Sequence, residues 1–141
     1  MEKENQITEN TIGVAVYLRV EKADANEITS VELLKSKYMA MIKANPAWEY
    51  CGIYIDEGFY ENEAFEKMAA DAFDGKFRLV ITMCVRRFTL KFEDCLACIR
   101  KLKSANPPVG IYFEREFVNT LDDGAEKKLT EMESIRLKYY E

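Results

Sequence analysis

Residues 77–83 read FRLVITM, a nearly continuous apolar run in which Arg78 is the single charged side chain. A strand that is apolar at successive positions is typical of the centre of a parallel β-sheet, because helices cover both of its faces. Turn-forming Asp74 and Gly75 precede the run. The stretch therefore predicts a central strand of an α/β domain.

Strands and helices alternate on both sides of this run. The patterns predict further strands at 12–20, 48–56 and 109–115, and helices at 28–44, 63–73, from 90 or 92 to 102, and from about 122 onward. Thr29 or Ser30 would cap the first helix, since Glu32 completes a capping box with Thr29. The alternation predicts one three-layer α/β domain, with a central, mostly parallel sheet and helices on both faces.

The chain has 141 residues, of which 48% are hydrophobic, enough for one domain and too few for two. Residues 1–11 are polar and predict a disordered lead, so the domain would occupy 12–141. No apolar run approaches the roughly 18 residues of a membrane helix, and the start does not resemble a secretory signal. We therefore expect a cytoplasmic protein that makes no membrane contact.

The charge pattern bears on nucleic-acid binding. The net charge is −5 at pH 7 and no basic run occurs in the sequence. Because phosphate neutralisation dominates nucleic-acid affinity, this domain alone should bind DNA weakly if at all. A single phosphate-binding pocket is still compatible with this charge.

Cys95 and Cys98 have the spacing of a metal or redox motif, but the chain has no histidine and no second such pair. A zinc site would have to recruit Cys51 and Cys84 from separate strands. A redox motif belongs at a helix N-terminus, whereas Cys95 falls inside a predicted helix. We expect reduced thiols at two apolar positions of a helix face, with no metal and no cofactor.

Charged side chains follow several predicted strands. In an open α/β sheet, ligands bind outside the carboxyl ends of the strands. The residues expected at this rim are Arg19, Glu21, Asp56, Glu57, Arg86 and Arg87. Arg19 and Glu21 should point to the same side, because they are two residues apart along a strand.

Four segments resemble one known family when taken together. They are VAVYLRV, NPAWEYCGIYIDEG, DGKFRLVITMCVRRF and VGIYFEREFVNTLD, and their order and spacing are similar to those of the catalytic domain of serine recombinases, the resolvase/invertase family. The resemblance covers roughly Ile12 to Leu129. It implies a resolvase-like fold and a family that cuts DNA without metal, through a serine linked covalently to phosphate. It also implies arginines around the scissile phosphate, a long assembly helix, a tetramer and DNA-binding parts that follow the domain.

The chain departs from the family pattern at the positions that carry its chemistry. Tyr17 and Arg19 match the pattern Tyr-x-Arg-x-Ser, but Glu21 stands at the position of the serine nucleophile. In the later Arg-Phe-x-Arg pattern, Arg87 matches and Leu90 replaces the second arginine.

Other family features are partly kept. Asp56 and Lys76 match, while Leu34 stands where the family has a glutamine. The loop at 59–62 is shorter than in the family and has no basic residue, and the final helix is shorter than the assembly helix. No DNA-binding domain is expected within 12–141.

These departures predict a domain related to DNA recombination and mobile elements that is catalytically inactive. No catalytic residue is expected to function, and the vestigial phosphate pocket would comprise Arg19, Arg87, Asp56 and Lys76. Glu21 would pair with the arginines in place of a phosphate. Such a domain would act through association with itself or with an active serine recombinase. The alternatives are weak residual DNA cleavage through Arg19, Glu21 and Arg87, and a phosphate- or DNA-binding module without chemistry.

Overall fold

The computed structural model describes residues 11–21 and 25–140, without the side chains of 25–29 and 139–140. The disordered lead predicted for 1–11 lies outside the described residues, except for Thr11. None of the helices in the described part of the chain is long and apolar enough to cross a membrane.

The described chain forms five strands and five helices, which alternate except for two consecutive helices after the third strand and two consecutive strands after those. The strands are β1 (Ile12–Val20), β2 (Trp48–Glu57), β3 (Leu79–Thr82), β4 (Gly110–Phe113) and β5 (Val118–Asn119), and the helices are α1 (Ala25–Lys43), α2 (Glu63–Phe73), α3 (Val85–Phe88), α4 (Phe92–Lys103) and α5 (Ala125–Tyr140). The sheet order is β2-β1-β3-β4-β5. The first four strands are parallel, and β5 pairs antiparallel with β4. The predicted α/β class with a mostly parallel sheet is confirmed.

One face of the sheet is covered by α1. Val14, Val16 and Leu18 of β1 pack in one buried cluster with Tyr38 and Ile42 of α1. These strand residues alternate with those of the opposite face, as the period of a β-strand requires. Helix α1 therefore forms the first of the two outer layers, with its apolar side against the sheet.

The opposite face of the sheet is covered by the later helices. Tyr17 of β1 belongs to a second buried cluster, with Met68 of α2, Ile99 of α4 and Leu129 of α5. Helices thus lie on both faces, as predicted. Because α1 follows β1 on one face and α4 follows β3 on the other, the chain changes direction between neighbouring strands β1 and β3. Ligands of open α/β sheets bind at such a crevice.

The structure differs from the sequence prediction in local details. Helix α1 begins at Ala25, so Thr29 and Ser30 lie inside it. The predicted capping box at these residues is therefore wrong. The elements α3 and β5, with four and two residues, were not predicted, because neither is long enough to show a hydrophobic period.

A buried aromatic side chain, together with buried Val85, packs helix α3 against the sheet. Phe88 is fully buried, and its ring meets those of Tyr17, Phe65 and Phe113 edge-on, with centroids 5.0–5.8 Å apart. Edge-to-face pairs add to the free energy of burial. This anchor fixes the short helix that carries Arg86 and Arg87.

Candidate functional site

A pocket of about 220 Å³ opens between the carboxyl ends of β1 and β3. We call it the rim pocket, and its lining residues are Arg19, Val20, Glu21, Gly58, Phe59 and Arg87. The structure therefore brings together three of the charged residues expected at the rim, Arg19, Glu21 and Arg87. The rim pocket lies at the crevice between β1 and β3, where the direction of the chain reverses.

The guanidinium of Arg19 is turned into the protein and is bound there by the loop that follows β2. Its Nη1 donates to the carbonyl oxygens of Gly58 at 2.8 Å, Glu61 at 2.5 Å and Phe59 at 3.4 Å. Its Nη2 donates to Oδ1 of Asn62 at 2.6 Å. Arg19 is 4% exposed, and its Nε has no acceptor among the described residues. The loop thus takes up most of the hydrogen-bonding capacity of this arginine.

The conformation of Gly58 makes this loop possible. Gly58 has φ of 90°, a left-handed backbone conformation that glycine adopts without steric cost. Its amide donates to the carbonyl of Val20 at 2.7 Å, while its own carbonyl accepts from Arg19. The turn therefore closes directly over the end of β1.

The ion pairs predicted for Glu21 do not form. Glu21 follows the last residue of β1 and is exposed. No ion pair joins Arg19, Glu21, Asp56 or Arg87 to one another, although all four are described. The backbone carbonyls of the 58–61 loop bind Arg19 instead, because they come within hydrogen-bonding distance while the Glu21 side chain lies beyond the strand.

Arg87 is the more available of the two matching arginines. Its Nη1 donates to the carbonyl oxygen of Arg19 at 3.2 Å, and its side chain is half-buried. A guanidinium has five N–H donors, so one such bond leaves most of this group open to the rim pocket.

Asp56 caps a helix. Its Oδ1 accepts from the amide of Ala64 at 2.9 Å, and its Oδ2 accepts from the amide of Phe65 at 2.9 Å and from the hydroxyl of Tyr17 at 2.8 Å. Ala64 and Phe65 lie in the first turn of α2, where free amides and the helix dipole favour a carboxylate. Asn62, the N-cap residue, makes no side-chain cap bond of its own, and its side chain binds Arg19. Asp56 therefore serves the helix rather than the rim pocket.

Tyr17 completes this buried network. Burial, followed by the hydrogen bond to Asp56, raises the pKa of Tyr17 well above its ordinary value. The hydroxyl therefore stays protonated and donates to the carboxylate at every physiological pH. The guanidinium carbon of Arg19 lies 5.8 Å from the centre of the Tyr17 ring, at a distance typical of a cation–π contact.

Lys76 lies away from the other members of the predicted phosphate pocket. It precedes β3, whereas Arg19 and Arg87 lie beyond the carboxyl ends of β1 and β3. The exposed Lys76 ammonium donates to Oδ1 of Asp71 at 3.1 Å. Placing Lys76 in the pocket was therefore wrong, because Lys76 lies at the amino-terminal ends of the parallel strands and the pocket lies at their carboxyl ends.

Asp71 is the centre of this second polar cluster. Its Oδ2 accepts from the hydroxyl of Tyr54 at 2.6 Å and lies 3.4 Å from the ammonium of Lys67. The hydrogen bond from Tyr54, with help from Lys76 and Lys67, holds the pKa of Asp71 below its ordinary value despite the opposing effect of burial.

We expect the stabilising effect of Asp71 to depend on pH. Because its pKa is lower in the folded chain, Asp71 stabilises the fold above its unfolded pKa of about 3.9, and the contribution is lost as pH falls through the folded value. Asp71→Asn should lower the free energy of unfolding by about 1 kcal/mol near pH 6 and by clearly less near pH 3. Urea denaturation at both pH values measures this, with exposed Asp74→Asn as the control. An equal cost at both pH values would contradict the prediction.

Cys95 and Cys98 lie on the buried side of α4. Burial raises the pKa of each thiol to about 12, so both stay protonated at neutral pH and behave as small apolar side chains. The prediction of two apolar helix positions is confirmed. Within 11–21 and 25–140, no three carboxylate or thiol side chains are grouped so that they could hold a metal ion.

A second, larger cavity of about 410 Å³ lies beside the rim pocket. We call it the arginine cavity, after four of its lining residues, Arg86, Arg87, Arg115 and Arg136. Leu90, which stands at the substituted arginine position, also lines it and is 59% exposed. Arg115 was missed from the sequence although it follows β4 and obeys the carboxyl-end rule. Arg136 carried no signal, because only the packing of α5 brings it to this cavity.

The rim pocket offers little for phosphoester cleavage. Among its lining residues, the carboxylate of Glu21 is the single nucleophilic group. A carboxylate next to a phosphodiester places like charges together. Of the two arginines matching the family pattern, Arg87 has more donors open to a ligand, because the unused Nε of Arg19 is buried.

Comparison with solved structures identifies the fold. The N-terminal catalytic domain of TP901-1 integrase superposes with a TM-score of 0.61 and 20% identity, covering 90% of this chain and 95% of that one. A resolvase family site-specific recombinase from Streptococcus pneumoniae superposes with a TM-score of 0.69 and 23% identity, covering 92% of this chain and 93% of that one. No protein-family model and no curated protein sequence matches the chain.

The chain therefore has the resolvase-like α/β fold, that of serine recombinase catalytic domains. The fold implied by the four sequence segments is confirmed over about nine-tenths of the chain.

Proposed function

We propose that this chain is a serine-recombinase-like domain that does not cleave DNA and that acts through protein association. The observation that carries the proposal is the internal binding of Arg19, whose guanidinium is bound by the 58–61 loop and Asn62. An arginine held in this way cannot grip a scissile phosphate unless the loop opens. Glu21 at the nucleophile position points to the same conclusion.

The chemistry of a carboxylate supports inactivity. Attack by Glu21 on a phosphodiester would form a mixed anhydride, which water hydrolyses readily, whereas strand exchange requires a durable ester. Stabilisation of the developing charge also depends on donors that are preorganised around it. Charge stabilisation is reduced, because Arg19 is bound by its loop and Leu90 has no donor. The nucleophile is lost as well, because Glu21 stands at its position.

The surface of α5 supports association. Met132, Ile135 and Leu137 are 37%, 57% and 47% exposed, on a helix that has few buried residues in its second half. An apolar surface of this kind suits a second copy or a related recombinase. The four thiols are all free, which suits a reducing compartment such as the cytoplasm.

Light scattering tests the association. A dimer or larger species should form at high concentration, or a complex should form when the chain is mixed with an active serine recombinase. Ile135→Lys should weaken it, while Lys127→Glu, on the first turns of the same helix, serves as the control. A strictly monomeric chain that also binds no active recombinase would overturn this part of the proposal.

A nicking assay tests the absence of catalysis. Neither the native chain nor Glu21→Ser combined with Leu90→Arg is expected to nick supercoiled DNA, because Arg19 remains bound by its loop in both. Electrophoresis of the plasmid after prolonged incubation measures this, with an active serine recombinase as the positive control. Nicking by the native chain that Arg87→Ala abolishes, and that the exposed Arg78→Ala leaves unchanged, would establish residual cleavage instead.

A further inference from the structure

We propose that the arginine cavity binds the phosphate group of a small nucleotide. Its arginines come from three separate elements: Arg86 and Arg87 from α3, Arg115 from the turn after β4, and Arg136 from α5. Their convergence is thus a product of the tertiary fold. Of the four, Arg87 alone matches a position to which the family resemblance gives a role.

The charges in the cavity are not balanced by the protein. Glu133, the one carboxylate that lines it, forms a two-pronged ion pair with Arg136, at 3.0 and 2.8 Å. Arg86 and Arg115 are exposed, and neither forms an ion pair with the described residues. Arg115 is near enough to Glu116 to offset part of the rise that burial causes in the pKa of that carboxyl. Arg87 donates only to a backbone carbonyl.

Arg86, Arg87 and Arg115 thus line one cavity without an ion-pair partner among the described residues, and the four arginines outnumber the nearby carboxylates of Glu133 and Glu116. Like charges held close together raise each other's free energy, and a bound anion relieves this repulsion. Guanidinium groups match phosphate in geometry and bind it through two parallel hydrogen bonds. The unpaired arginines therefore favour a phosphate group over a neutral ligand.

The rest of the lining suits the base of a nucleotide. Phe59 is 52% exposed and Leu90 is 59% exposed, and both line the cavity together with Phe92. A flat base can stack on an exposed aromatic ring. The volume of about 410 Å³ falls within the range of pockets for small ligands.

The charges around the cavity disfavour a longer polyanion. The neighbouring groove, which shares Phe59 with it, is lined by Asp56, Glu57, Glu61 and Glu63. A DNA strand leaving the cavity on that side would meet these carboxylates, and the whole chain carries a net charge of −5. A mononucleotide can occupy the cavity without crossing this acidic surface.

Isothermal titration calorimetry at low ionic strength tests the inference, with AMP, inorganic phosphate, adenosine and a short single-stranded oligonucleotide as probes. AMP should bind, inorganic phosphate should bind more weakly, and adenosine should give no heat. Arg86→Gln combined with Arg115→Gln should weaken AMP binding by about tenfold or more. The conservative variant Arg86→Lys with Arg115→Lys should lose less AMP affinity than the glutamine variant, because lysine keeps the positive charge. It should still bind AMP more weakly than the native chain, because lysine lacks the paired donors of a guanidinium.

Arg78→Gln provides the matched control, because Arg78 is an exposed arginine at the amino-terminal end of β3, whereas the cavity lies at the carboxyl ends of the strands. It should leave AMP binding unchanged, and circular dichroism should show that every variant is folded. The inference is overturned if AMP and phosphate fail to bind, if the double glutamine variant binds AMP as the native chain does, or if only the oligonucleotide binds. None of these results depends on nicking or on association.

Discussion

Replacement of Arg19 with methionine is expected to lower the free energy of unfolding by about 3 kcal/mol, and the melting temperature by roughly 10 °C. Methionine keeps much of the apolar stem but removes the donors that bind Gly58, Glu61 and Asn62. Hydrogen bonds to a charged group are stronger than neutral ones, and their loss leaves the loop carbonyls dependent on water. Thermal and urea denaturation measure the change.

The same variant should also release the loop. Chymotrypsin cleaves after aromatic residues, and Phe59 and Tyr60 of this loop are 52% and 84% exposed. Cleavage there should be faster in Arg19→Met than in the native chain at temperatures where both are folded. Arg78→Met, at an exposed position, should change neither stability nor cleavage. If Arg19→Met costs less than about 1 kcal/mol and the loop stays resistant, the guanidinium is not what holds it.

This result would separate two roles that one arginine can have. In a phosphate site, Arg19 would be held by neighbours and would leave donors directed at the ligand. Here its donors face the 58–61 loop, and the residue stabilises the fold. A large loss of stability on substitution would therefore support the proposed inactivity.

Replacement of Asp56 with alanine is expected to lower the free energy of unfolding by about 3 kcal/mol. The substitution removes the acceptor of two first-turn amides of α2 and leaves the buried hydroxyl of Tyr17 without its partner. A lost helix cap costs about 1 kcal/mol, and an unsatisfied buried hydroxyl costs a further 1–3 kcal/mol.

Chemical denaturation of Asp56→Ala measures this loss. Glu57→Ala is the control, because Glu57 is the exposed neighbour at the end of the same strand. Adding Tyr17→Phe to Asp56→Ala should cost less than Tyr17→Phe costs alone, since the hydroxyl has already lost its acceptor. Additive effects of the two substitutions would show that the hydrogen bond contributes little.

Several elements could be predicted closely from the sequence. The bounds of β1 and α2 agree with the prediction residue for residue. The apolar run of β1 ends at charged Glu21 and Lys22, and the helical period of α2 ends at turn-forming Asp74 and Gly75. The start of α1 was misplaced, since Thr29 and Ser30 have cap chemistry but lie inside a longer helix. A propensity to cap is a local preference that the rest of a helix can override.

The site was harder to predict because its main partners are backbone atoms. Every residue type supplies a backbone carbonyl, so no sequence pattern at 58–61 predicts that these oxygens will bind Arg19. The donors and acceptors are 39 to 43 residues apart along the chain. Glu21 was expected to pair with Arg19 because both alternate to the same side, but β1 ends at Val20 and the alternation ends with it.

The sequence by itself determined the α/β class, the order of the main elements and the end of the sheet at which Arg19, Glu21 and Arg87 meet. Hydrophobic periods and the parallel arrangement of strands are sufficient for these features, because both follow from local chemistry. Only the tertiary structure decided that Arg19 is bound by a loop, that Asp56 caps α2, and that Arg115 and Arg136 join α3 around one cavity. Distances of a few ångströms between distant segments set these contacts, and such distances are fixed only when the two faces of the sheet are packed.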